Sequence, residues 1–174
     1  MSELDEAWEV ALADAEQRAR ARGRGDIAEY VALRKRNDLL RRTAVEWLVT
    51  TVTSLAAKAN RGGAAIQIEQ DDAHRFRVGH ATMVGSRVTL RNGVRALTVE
   101  TGWPRTPRDG FVSGGGLACA NLKHFGRPRA NAELMLLRSS RDTPQWIILE
   151  RTGDRSPLTE AQLRAHFSLL MAES

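Results

Sequence analysis

The chain of 174 residues has a single cysteine, Cys119. That excludes an intrachain disulfide framework and a cysteine-based zinc site, and a reducing cytosol is the compartment such a composition fits. Lysine is nearly as scarce: of the 26 basic residues only Lys35, Lys58 and Lys123 are lysines. Long apolar runs are absent too. Leu117–Ala120 and Leu134–Leu137 are the longest useful ones, far below the roughly eighteen residues that a bilayer span needs, so no membrane association is expected. The first ten residues carry four acids, Glu3, Asp5, Glu6 and Glu9, where a signal peptide has a basic stretch followed by an apolar one. They read as a helix start.

Recognisable catalytic and cofactor patterns are also missing. The histidines, His74, His80, His124 and His166, include no pair at the i, i+4 spacing that aims two ligands from one helix face, so no metal site is expected. Cys119 and His124 share one expected strand, but five residues apart they point to opposite faces and form no nucleophile–base dyad. Gly114-Gly115-Gly116 precedes a strand, whereas phosphate loops open a helix and use its dipole; the spacing also fits neither dinucleotide nor P-loop fingerprints. No catalytic residue and no cofactor is assigned.

What is present is an ordinary globular composition, 42% hydrophobic and 27% charged, which suits one domain across residues 1–174 with a core that needs no external staple. Residues 1–59 read as a helical hairpin. In 3–22, Leu4, Trp8, Ala11, Leu12, Ala15 and Ala19 recur at spacings of three and four. Gly23-Arg24-Gly25-Asp26 supplies a C-terminal glycine and a capping Asp for a tight turn. From 27 to 59 the rhythm continues through Tyr30, Leu33, Leu40, Ala44, Trp47 and Leu55, with Asn37 and Thr51 in the same register. Unbroken, that helix would span about 50 Å, against a radius of gyration of about 16 Å for a compact domain of this size. Either it breaks at the capping box Thr43-Ala44-Val45-Glu46, or it projects and the chain becomes a homo-oligomer.

After Asn60-Arg61-Gly62-Gly63 the period falls to two, and residues 64–151 read as antiparallel sheet. Strands are expected at 64–70, 74–78, 87–91, 94–100, 117–125, 132–138 and 145–151, with Asn92-Gly93 as a type I′ turn. That hairpin puts Val88, Leu90, Leu97 and Val99 on a core face and Arg87, Thr89, Arg91, Thr98 and Glu100 on a wet one. Thr159 and Gln162 form a capping box, flanked by the staple pair Leu158 and Leu163, and open a last helix over 159–172. The fold class is α+β: an N-terminal helical hairpin and a C-terminal helix on one face of a mainly antiparallel, curved sheet of five to seven strands.

Function is less legible. The 102–116 segment is too long for an ordinary connection. It holds Trp103 and Phe111 as an apolar wall and Arg105 and Arg108 as an anion clamp, with His124 nearby, so a small anionic ligand or a partner is the first expectation for a non-catalytic, self-associating module. The alternative is nucleic-acid binding through the Arg-rich 18–42 region, by Arg34, Lys35, Arg36, Arg41 and Arg42. Those five lie around more than one side of their helix, which disfavours a recognition helix. A third option is an enzyme built on His124, His80 and the loop arginines.

Overall fold

The computed structural model describes residues 2–21 and 28–172; the expected turn at 23–26 and the side chains of Ala19, Tyr30 and Leu33 lie outside what it describes. The protein is α+β. Helices α1 (Glu3–Ala21) and α2 (Ala28–Arg61) precede seven strands, β1 (Gln67–Val78), β2 (Ala81–Asn92), β3 (Arg95–Trp103), β4 (Ala118–His124), β5 (Ala132–Arg138), β6 (Pro144–Leu149) and β7 (Arg155–Pro157), and helix α3 (Glu160–Met171) ends the chain. The strands lie side by side in chain order and every pairing is antiparallel. α1 packs on α2 and β6, while α2 and α3 both cover β2 and β3.

One core joins the helices to one sheet face. Leu40, Ala44, Leu48, Val52 and Ala56, at a spacing of four along α2, are buried, with Val45 beside them. From Ala44 onward they share one cluster with Val88, Leu90, Leu97, Val99, Ala120, Leu122, Leu134 and Leu136 from alternate strand positions, together with Leu4 of α1 and Leu163 and Leu170 of α3. The expected seam through Trp47, Thr51 and Leu55 flanks this row instead of forming it. α2 also runs through Thr43 without a break. Ala44 and Val45 are buried there, and the Trp146 indole N–H donates to the Ala44 carbonyl at 3.0 Å, so continuous packing outweighs the local cap signal. Further along, the β-branched run is held in the helix, and the Thr53 hydroxyl donates to the Val49 carbonyl at 2.9 Å.

Three sheet details differ from expectation, the first being that β7 has no counterpart among the expected strands. The residues around Asp71-Asp72 do not divide two strands; they form a bulge within β1, where the pairing passes from Asp71↔Arg87 to His74↔Gly85. The extra residue inverts the alternation, bringing His74 and Asp71 to the same face. The tight turn is Gly93-Val94, because Asn92 pairs with Arg95. Gly93 has φ +60° and Val94 has no positive φ, the type II′ pattern with glycine first; the face assignment survives because moving the turn by one residue changes the cross-strand pairing by two, which keeps each side chain on its face. The final helix begins as expected, with Gln162 N–H donating to the Thr159 hydroxyl and Thr159 N–H donating to the Gln162 side chain.

The sheet face away from the helices is not uniformly wet. Phe76, Ala81, Met83 and Cys119 form a second buried cluster there, joined by Val112. The segment after β3 contributes Val112 to it and is itself ordered by two one-turn 3-10 helices, Pro107–Asp109 and Ser113–Gly115.

Candidate anion-binding cleft

The segment 104–116 is anchored at several points. The Asp109 carboxylate accepts from the Thr106 N–H at 2.9 Å, the Thr106 hydroxyl at 3.0 Å and the Arg105 N–H at 3.2 Å. Gly110 lies so close to Ala81 that a Cβ on it would come within 3.1 Å of that residue, and one on Gly116 would approach Met135 to 2.6 Å. The glycines therefore serve close packing. Between this anchored segment and the N-terminal half of α2 is a cleft of about 870 Å3.

Its walls bring together two groups of residues that the sequence keeps apart. Arg34, Asn37, Asp38, Arg41 and Arg42 come from α2; Trp103, Arg105 and Phe111 come from the end of β3 and the segment beyond it. Arg34, Asn37, Asp38 and Arg41 are spaced by three and four and share a helix face. Arg41 is fixed by its Nε, which donates to the Leu117 carbonyl at 2.8 Å, and by its Nη1, which donates to Asp38 at 3.0 Å. Arg105 donates from Nε to the Val84 carbonyl at 3.3 Å, and its guanidinium lies 3.6 Å above the centre of the Trp103 ring, a cation–π contact. Arg34 and Arg42 are exposed and have no ion pair or hydrogen bond among the described residues. Burial, followed by the charge of Arg42 and then that of Arg41, pulls the Arg105 guanidinium below the usual arginine value, with Asp38 opposing. The cleft thus holds an excess of cations that no neighbouring carboxylate neutralises. On the open sheet face, by contrast, Arg87 lies 3.8 Å from Asp71, Arg91 lies 3.7 Å from Glu69 and Lys123 pairs with Glu100.

The remaining expected residues fall outside the cleft. Arg108 is exposed on the short helix Pro107–Asp109 and does not line it. Lys35 is exposed, and Arg36 pairs with Asp142. His124 ends β4 on the helix-covered face, where its Nε2 lies 2.9 Å from Nδ1 of His166 on α3 with the rings stacked. Burial lowers both imidazole pKa values, and the neighbouring His166 and Arg127 lower that of His124 further. His80 is exposed in the β1–β2 turn. Cys119 is buried on the face opposite His124, and burial pushes its thiol pKa up to about 11.

Comparison with protein-family models, curated proteins and solved structures finds no match. The site is therefore read from its own residues.

Sequence reasoning missed one polar cluster. Glu100, expected on the wet face, is 6% exposed and accepts from His74 Nε2 at 2.9 Å, from Asn121 at 3.1 Å and from Lys123. Burial raises its pKa, yet these hydrogen bonds, led by Lys123, outweigh it and hold the carboxyl below the usual range. His74 reaches Glu100 across β2 because the residue between them is Gly85, paired with His74 on one side and with Gly102 on the other. The sign available in the sequence was that glycine pair, which invites a close approach of strands. Among the described residues no group of three or more His, Cys, Asp or Glu side chains is placed to hold a metal ion, and no helix is long and apolar enough to cross a membrane.

Proposed function

We propose that this protein is a cytosolic, self-associating, non-catalytic module that binds an anionic ligand in the cleft between α2 and the 104–116 segment. The observation that carries this reading is the charge imbalance among the described lining residues of the cleft: Arg34, Arg41, Arg42 and Arg105 against Asp38. Guanidinium groups bind phosphate and carboxylate oxygens through paired N–H donors. Arg41 and Arg105 are already tied to backbone carbonyls, so less side-chain freedom is lost on binding. Arg34 and Arg42 are the unengaged pair that a ligand would recruit.

The test is calorimetry with phosphate, pyrophosphate and citrate on the native protein and on an Arg34→Ala/Arg42→Ala double variant. Because exposed charges contribute little to stability, the variant should melt close to the native protein and lose about tenfold or more in affinity, as expected for removal of charge-assisted hydrogen bonds. Absence of binding by the native protein, or equal binding by both, overturns the reading.

A second reading, nucleic-acid binding, gains support from the presence of Arg34, Arg41 and Arg42 of the Arg-rich region in this one cleft. It predicts steeply salt-dependent retention on heparin, since phosphate contacts release counterions. Elution at low salt removes it.

A further inference from the structure

We propose that the anion is a nucleoside phosphate, with its phosphates against Arg34, Arg41, Arg42 and Arg105 and its base against Phe111. This rests on the anion-binding reading and identifies the other half of the ligand.

Phe111 is 81% exposed, whereas Trp8, Phe76, Trp103 and Trp146 are buried; Phe125, 76% exposed, lies away from the arginine cleft at the end of β4. The ring is exposed although its neighbours are anchored: Gly110 abuts Ala81, and Val112 packs against the second apolar cluster. The backbone is thus pinned on both sides of an outward aromatic side chain that lines the arginine cleft. Trp103, the other aromatic side chain among the described lining residues, is only 6% exposed and carries the Arg105 guanidinium on its ring. Phe111 is therefore the aromatic surface that a bound ligand can reach. Nucleobases of every kind present a flat π face, and stacking on an exposed aromatic side chain discriminates little among them.

The charge argues for several phosphate oxygens and against a lone carboxylate. Four arginines line the cleft and, among the described lining residues, Asp38 supplies one negative charge, so a single monoanion leaves positive charge unmatched, whereas a di- or triphosphate supplies charge and acceptors for several guanidinium groups. The size agrees: a cleft of about 870 Å3 is in the range of sites for whole small molecules, about 300–1,000 Å3, and much larger than inorganic phosphate needs. On the open sheet face Arg87 and Arg91 each have a carboxylate partner.

The experiment is calorimetric titration of the full chain, at fixed ionic strength, with adenosine triphosphate, inorganic triphosphate and a short single-stranded oligonucleotide. The native protein should bind adenosine triphosphate about tenfold more tightly than inorganic triphosphate, the increment expected from one stacked base. Phe111→Ala should abolish that advantage while keeping the affinity for inorganic triphosphate, and Phe111→Tyr should retain it. The exposed ring contributes little to folding, so both variants should melt near the native temperature. Equal affinity of the native protein for the two triphosphates, or parallel loss of both in Phe111→Ala, overturns the nucleoside assignment and leaves anion binding intact. Binding of neither overturns the anion reading itself. Far tighter binding of the oligonucleotide than of adenosine triphosphate overturns the assignment in favour of nucleic acid.

Discussion

Cys119 and Ala120 are adjacent in β4 but face opposite sides of the sheet, since Cys119 pairs with Gly102 and Ala120 with Thr101. Cys119 therefore joins the small apolar cluster, where burial holds its thiol at a pKa of about 11. Native-state labelling at neutral pH should be slow; rapid stoichiometric modification would show that the cluster opens. Trp103 illustrates how residue-level energetics separate two roles. It lines the cleft, but it is also packed into the main core, so Trp103→Ala should cost about 3–5 kcal/mol in a denaturant titration. A cost under about 1 kcal/mol would mean that its place is at the surface. The His124–His166 pair gives a pH dependence. Both folded-state pKa values lie below the ordinary histidine value, so the unfolded chain takes up these protons first. Stability is then complete above about pH 6.5 and falls as the pH drops through that value toward the folded pKa values. Thermal melts between about pH 7.5 and 5.5 should show this loss, and His166→Phe should flatten it; an unchanged slope would remove the pair as its origin.

Among the elements, α2 and the β2–β3 hairpin show where local signals win and where they lose. The helical period of α2 is plain in sequence, and Leu40 and Ala44 of the expected row are buried, but beyond them the row that packs on the sheet continues through Leu48, Val52 and Ala56, beside the Trp47, Thr51 and Leu55 that counting threes and fours selects. Several overlapping stripes satisfy one helical period, and only the partner surface chooses among them. The capping box at Thr43 fails for a similar reason: the Trp146 indole and the buried Ala44 and Val45 hold the helix through it. In the hairpin, alternation alone assigns both faces, because any register with the same parity gives the same answer. The glycine pair Gly85 and Gly102 is a different matter. A Cβ on Gly85 would lie 2.6 Å from the Gly102 Cα, so Gly85→Ala should be strongly destabilising, by roughly 2 kcal/mol or more through forced strand separation. It should also break the His74–Glu100 contact. A chemical-denaturation midpoint equal to the native one would show that the strands can part without penalty.

On the scale of the whole molecule, self-association is the property that the helical hairpin bears on most directly. α2 has 34 residues, a length of about 50 Å, while among the described residues its buried row runs from Leu40 to Ala56. Val10 of α1 is 65% exposed. Light scattering at micromolar concentration should give more than a monomer mass, and Val10→Glu should reduce it; a monomer in the native protein would show that the helices act only within one chain. The sequence by itself determined the α+β class, the succession of two helices, an antiparallel sheet and a last helix, the faces of the central hairpin and the final capping box, because those depend on period, turn residues and caps within a few positions of one another; it did not show that 67–78 is one strand or that Arg155–Pro157 adds an edge strand. It also marked Trp103, Arg105 and Phe111 as a segment of interest. The tertiary structure alone decided that Arg34, Arg41 and Arg42 face that segment, that Arg108 and His124 do not line the cleft, and that Glu100 is buried under His74 and Lys123. Residues 42 and 105 are far apart in the chain, and their approach depends on how α2 crosses the sheet, which is set by the shape of both packed surfaces and not by the pattern of either one.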